Sequence, residues 1–221
     1  MQGWDLVFKY IPKLMEGLGY TVISSVCAII IGLLVGLTLA VIRLGKNRII
    51  NSVISVYISF VRGTPVIVQI FIIFYVLSDF VDLPPLTAGI IALSLNSGGF
   101  IAEIIRGGFT AIPKGQYEVC EAMGFSYFQT LRRVILPQVF KIILPQFLNE
   151  FIAIIKVSPL LSMIGVEELT RVAQMRINNL HEIVPLPFYI TLFAIYFLFN
   201  SLMEFAAGKI EKKALLRKGG N

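Results

Sequence analysis

Histidine, cysteine and charge are all scarce in this 221-residue chain: one His, two Cys, one Trp, and charged residues at 14%. Each scarcity excludes something. His181, Cys27 and Cys120 give no metal-ligand grouping, and no HExxH, GxSxG or paired-cysteine pattern occurs. An enzyme working inside a membrane needs a nucleophile–base pair or a metal cluster at depth. These residues do not supply one. Cys27 falls in an apolar run and Cys120 in a polar one, so no disulfide is expected between them. His181, alone near the end of a loop, reads as a surface residue. No GxxxxGK[ST] phosphate loop is present either, so any ATP hydrolysis has to occur on another chain.

Apolar residues are abundant, at 57% of the chain with a mean hydropathy of +0.83. Runs of about 20 apolar residues recur, enough for a helix to cross a ~30 Å hydrocarbon layer. The expected fold class is an all-α polytopic membrane protein, a single transmembrane domain over residues 1–221. Spans are expected at about 20–41, 51–81, 86–105, 141–157 and 183–205. The net charge of +6 and pI near 9.4 could suggest nucleic acid. The basic residues cluster between the runs, however, so topology accounts for them better and no nucleic-acid partner is expected.

Arg43, Lys46 and Arg48 follow the first run, and Lys209, Lys212, Lys213, Arg217 and Lys218 follow the last. By the positive-inside rule the N-terminus lies outside and the C-terminus in the cytoplasm. Residues 1–16 read as an amphipathic lead-in at the interface. Gly32 and Gly36 form a step that either admits a close helix neighbour or is merely tolerated. Pro65 should kink the second span, and Ser158–Asn179 should form a short helix over the outer mouth.

Polar residues inside spans are costly unless paired or wet. Asn96 and Glu103 fall on one helix face, ~10 Å apart at 1.5 Å per residue. Glu103 is either a functional carboxylate or the partner of Arg106 or of the polar loop that follows. Asn149 and Lys156 share a face of the fourth span. Glu150 sits on the adjoining face, with no basic residue at i±3 or i±4. A solvent-facing position or a cationic ligand would relieve its cost.

The stretch Pro113–Pro137 interrupts the apolar pattern. Lys114–Met123 reads as a short helix ended by Gly124 in the left-handed conformation. Ser126 and Gln129 form a capping-box pattern for a second helix, which carries Arg132 and Arg133 and runs to Pro137. Such an elbow suits docking into a partner's groove; an amphipathic interfacial loop is the other reading.

This stretch resembles the EAA loop of ABC importer permeases, with Glu118-Val119-Cys120 at the Glu-Ala-Ala position, Gly124 at the glycine and Ile135-Leu136-Pro137 at the close. Val119 and Cys120 depart from the two alanines. Arg62-Gly63-Thr64-Pro65 with Gln69, Ala102–Gly108, Gly115-Gln116, Leu136-Pro137-Gln138, Leu144-Pro145, Asn149 and Lys156 continue a resemblance to the permeases of polar amino acid importers. Ser158-Pro159-Leu160 replaces the usual Thr-Ser-Leu. The likeness covers about residues 15–210.

That resemblance implies a type I importer fold, five spans in a multi-pass protein of the cytoplasmic (inner) membrane. It implies an ABC ATPase carrying ATP and magnesium, a second permease subunit (homodimer or heterodimer) and an external substrate-binding protein, with no cofactor on this chain. Coupling to the ATPase is expected through Glu118, Val119, Cys120, Glu121, Gly124 and Ser126. The amino acid path is expected along Gln69, Asn96, Glu103, Asn149, Glu150 and Lys156. Two carboxylates against one lysine lean the cargo toward basic amino acids, with glutamine or another polar amino acid as the alternative. A secondary transporter or channel not driven by ATP is the rival; five spans do not halve evenly and no internal repeat is visible, both against it.

Overall fold

A computed structural model describes residues 2–45, 47–179 and 185–216. His181, Lys46, Arg217 and Lys218 lie outside the described residues, so the expectations placed on them have no structural counterpart. The elements, in order, are α1 (Gln2–Arg43), α2 (Arg48–Gly63), α3 (Val66–Phe71), α4 (Pro85–Thr110), α5 (Lys114–Ala122), α6 (Tyr127–Thr130), α7 (Leu136–Val157), α8 (Leu169–Asn179) and α9 (Leu186–Leu216). A π turn and a 3-10 turn extend α3 to Asp79, and a 3-10 helix, Ser158–Ile164, follows α7. Among the described residues four helices are long and apolar enough to cross a membrane, or five if the bent pair α2–α3 is taken as one span.

Helix α4 is the axis of the bundle. Two-thirds of its most apolar window is buried, against about a quarter for α1 and α9. Its buried face is built of small residues, Ser94, Ser97, Gly98, Gly99 and Ala102 among them. Helix α1 lies directly on this face. A Cβ on Gly36 would stand 2.6 Å from Ile101 Cγ2, and one on Gly32 would overlap Ser97 Oγ. The two glycines therefore admit a neighbour, because without side chains the backbones can close to van der Waals contact. Ile29, Ile70, Leu93, Ile154 and Leu161 fill the core where α1, α3, α4 and α7 meet.

Three expectations are corrected. The lead-in is not set apart from the first span: α1 runs unbroken for 42 residues, through Pro12. Tertiary contact accounts for this, since Leu14 is buried against Leu169, Ala173 and Leu192, and Arg176 stacks 3.7 Å over the Tyr10 ring. The second span is not a kinked rod but two helices meeting at 111°. Proline keeps its preceding residue out of the helical region; Thr64 (φ −120°, ψ 147°) and Pro65 (φ −62°, ψ 135°) are both extended, and two such residues in succession redirect the chain. The second elbow helix does not stop at Pro137 either. It continues into the span through a π turn at Leu131–Ile135, which widens the helix just before the proline, where the ring and missing N–H disturb the regular ladder.

Candidate functional site

The break between α2 and α3 leaves helical carbonyls without their usual partners. Gln69, one turn into α3, supplies them. Its Nε2 donates to Val61 O at 3.0 Å, Thr64 O at 3.2 Å and Thr64 Oγ1 at 2.9 Å. Its Oε1 in turn accepts from Asn96 Nδ2 at 3.0 Å, which ties the break to the centre of α4. Gln69 and Asn96 are both buried. The bend is therefore held by a polar network whose capacity is largely used, as burial demands.

Beside this network lies a cavity of about 290 Å³, into which Arg62, Thr64, Asn96, Phe100 and Glu150 face. It brings together four helices, α2, α3, α4 and α7. No hydrogen bond or ion pair reaches the Glu150 carboxylate from any described residue, whereas Arg62 Nη1 lies 3.6 Å from Glu103 Oε1. Arg62 also sits 6.0 Å from the centre of the Phe100 ring.

Glu103, two turns along α4 from Asn96, is not open to the cavity. It binds Arg106, whose Nε donates at 2.9 Å, and is 3.6 Å from Arg43 Nη1 as well as from Arg62. Pairing with Arg106 was one of its two sequence readings; the arginines of α1 and α2 were not foreseen. Asn149 is exposed on another face of α7. Lys156 turns away as well, and its Nζ donates to Glu204 Oε1 of α9 at 2.9 Å. Of the six residues placed on the substrate path, Asn96 and Glu150 line the cavity, Gln69 supports it, and the other three are engaged or directed elsewhere. Arg62, and not Lys156, is the cation that lines the cavity.

The elbow has the local geometry its residues dictate. Gly124 is left-handed (φ +77°) and ends the α5 turn. Ser126 Oγ accepts from Gln129 N at 3.3 Å while Gln129 Oε1 accepts from Ser126 N at 2.9 Å, a complete capping box. Glu118, Val119, Glu121, Gly124 and Ser126 are exposed, and Tyr127 and Phe128 beside them are 72% and 66% exposed. Cys120 points inward and is buried, so it packs the elbow rather than offering a contact. Ile112, Ile135 and Val139 form the small core that fixes the elbow to α7.

One polar centre escaped the sequence reading. Glu168, fully buried, stands just before α8 and accepts from Thr170 N at 2.9 Å and Arg171 N at 2.7 Å. Tyr196 of α9 donates to it at 2.9 Å, and Thr21 of α1 accepts from Leu169 N at 3.2 Å. Burial pushes the Glu168 carboxyl above its ordinary range, against the pull of these donors. An acidic residue at the head of a helical run was the available signal; the tyrosine partner, 28 residues on, left none.

A buried-axis bundle with a polar, partly charged cavity and a projecting capped elbow defines a multi-pass membrane permease. The chain belongs to the family described as binding-protein-dependent transport system inner membrane component, whose model matches residues 13–215. It is 41% identical over 213 residues to the L-cystine transport system permease protein TcyB of Bacillus subtilis, covering 95% of this chain and 90% of that one. It is 35% identical over 219 residues to a putative glutamine transport system permease protein, GlnP, of Rickettsia conorii, covering 96% and 99%. A crystal structure of an amino acid ABC transporter with histidines matches at a TM-score of 0.89 and 36% identity, over 95% of this chain and 98% of that one. The resemblance read from the elbow and the span motifs thus holds over residues 13–215.

Proposed function

We propose that this chain is the membrane-spanning subunit of an ATP-driven importer for polar amino acids. It takes cargo from an external binding protein and is driven by a separate ATPase that grips the elbow. The names of the relatives and of the matching crystal structure, all amino acid systems, support the cargo class. In this reading the elbow and the C-terminal end of α9 face the cytoplasm, the side to which the basic residues assign them. ATPase closure pulls on α5 and α6. Because α6 runs without interruption into α7, the pull reaches Glu150 along one rod.

The observation that carries the cargo reading is Glu150: a carboxylate facing the cavity with no hydrogen-bond or ion-pair partner among the described residues. A passing ammonium group would offset the cost of holding it there. Arg62, already beside Glu103, is the nearest cation for a cargo carboxylate. With Arg62 left for the cargo carboxylate and Lys156 held by Glu204, Glu150 is free to meet an ammonium, and a side-chain ammonium there is the reading that favours a cationic, basic amino acid. The names of the two relatives, cystine and glutamine, favour the second reading, a neutral polar amino acid held at Glu150 by its α-ammonium alone.

Uptake into proteoliposomes by the permease with its ATPase and binding protein separates these. With Glu150→Gln, uptake of lysine and arginine should fall more steeply than uptake of glutamine and cystine. Equal loss for both classes assigns Glu150 to the α-ammonium and removes the basic preference. Uptake that continues with a catalytically dead ATPase would instead indicate a secondary transporter.

A further inference from the structure

We propose that a second pocket, at the elbow end of the bundle, binds a phosphate-bearing head group. The pocket is about 280 Å³ and lies between the C-terminal ends of α1 and α4 and the first turn of α2. Arg43, Leu44, Asn51, Arg106, Phe109 and Thr110 face it.

Charge makes the case first. Arg43, Arg62 and Arg106 all converge on one carboxylate, Glu103, and no other described carboxylate lies within 4.0 Å of any of them. Three guanidiniums against one anion leave two positive charges unmatched at the end of the spans. Like charges held this closely repel, so the cluster is stabilised by a further anion. Arg43 and Arg106 line this pocket, whereas Arg62 lines the substrate cavity on the other side. Guanidinium groups bind phosphate oxygens through paired N–H donors, so a phosphate matches them better than a simple ion does.

Asn51 adds an independent mark. Its Nδ2 donates to Gly45 O at 2.9 Å, while its Oδ1 is buried and receives no hydrogen bond. A buried acceptor of this kind calls for a donor. Next to two arginines, the matching ligand carries both a phosphate and a hydroxyl or ammonium, as glycerol and ethanolamine phospholipids do. The rim is apolar: Leu44 is 57% exposed, and Val41, in the preceding turn, 65%. Acyl chains would lie along it. The chemistry is shared by a free glycerol phosphate, which has the same head but nothing to place on that rim. Phe109 and Thr110 lead within a few residues into α5, so an occupied site braces the base of the elbow.

Native mass spectrometry of the delipidated permease–ATPase complex, titrated with phosphatidylglycerol, phosphatidylcholine, phosphatidic acid and glycerol phosphate, tests this. Phosphatidylglycerol should be retained well above phosphatidylcholine, and Arg43→Gln with Arg106→Gln should weaken retention by about tenfold or more. Arg62→Gln, which removes a Glu103 partner outside the pocket, should weaken retention less than loss of the two pocket arginines. Asn51→Leu, with both arginines intact, should lower phosphatidylglycerol but not phosphatidic acid, whose head offers no such second group. Equal retention of phosphatidylcholine, or indifference to the two pocket arginines, overturns the site. Arginine-dependent retention of glycerol phosphate equal to that of the lipid keeps the anion site and overturns its assignment to lipid.

Discussion

Asn96 of α4 donates to Gln69 of α3 across 27 residues of sequence, and through Gln69 it reaches the open end of α2. One amide side chain thus joins three helices at the point where the chain turns by 111°. The wall of the cavity lined by Asn96 and Glu150 depends on that joint.

Gln69→Leu keeps the volume but removes every donor and the acceptor. The carbonyls of Val61 and Thr64 and the Asn96 amide would all lose their partner in a buried place, at a cost of about 1–3 kcal/mol for each group stranded. A clearly lowered melting temperature of the purified complex is expected. Gln69→Leu combined with Asn96→Leu should melt less than additively below the parent, because the two residues share one network.

Gly124→Val should uncouple ATP hydrolysis from uptake while leaving the spans folded. No atom lies within 4 Å of a Cβ built there, so the penalty comes from φ +77° alone. Left-handed backbone costs an ordinary residue about 1–2 kcal/mol, and a branched one more. Gly124→Asn, which tolerates that conformation, should restore coupling. Paired measurements of ATPase rate and amino acid uptake check this, and normal values for the valine variant would remove the hinge role.

Gly36→Val forces α1 away from α4, where a Cβ alone would already meet Ile101 at 2.6 Å. Overpacking of this kind costs about 1–3 kcal/mol, and assembled complex should be lost on size-exclusion chromatography. Gly107→Ala, on the open side of α4, should assemble normally.

Glu168→Gln should flatten part of the pH dependence of stability. Burial raises the native pKa of Glu168 above that of the unfolded chain. The protonated form is therefore favoured in the fold, and this contribution is full below the ordinary carboxylate value, about 4.3, and fades as pH rises through the native pKa. Melting curves across the acid range should show a weaker slope in the glutamine variant. An unchanged slope would mean that the donors around Glu168 cancel the effect of its burial.

Much of the elbow was legible because its devices are local. A glycine that ends a helix and a Ser–Gln pair that starts the next act within four residues, and both are seen. Glu103 was legible only in part: Arg106, three residues away, shares its helix face, but Arg43 and Arg62 arrive from helices whose packing no local spacing reports. Lys156 misled for the same reason. Counting charges along one helix cannot show that Glu204, 48 residues later, takes its ammonium. The Pro65 break was foreseen in place and not in size, since proline dictates that a helix must yield and its surroundings dictate how far.

Composition and run length by themselves determined a multi-spanning helical membrane protein, and short motifs determined its family and the capped elbow. These follow from the bilayer, which requires about 20 apolar residues for each crossing whatever their neighbours, and from backbone preferences that act within a turn. Only the tertiary structure decided that α1 is one rod, that Glu150 rather than Glu103 faces the cavity, and that three arginines share a single carboxylate. Those outcomes depend on which helix faces which, and that is set by the packing of small residues on α4 against the rest of the bundle.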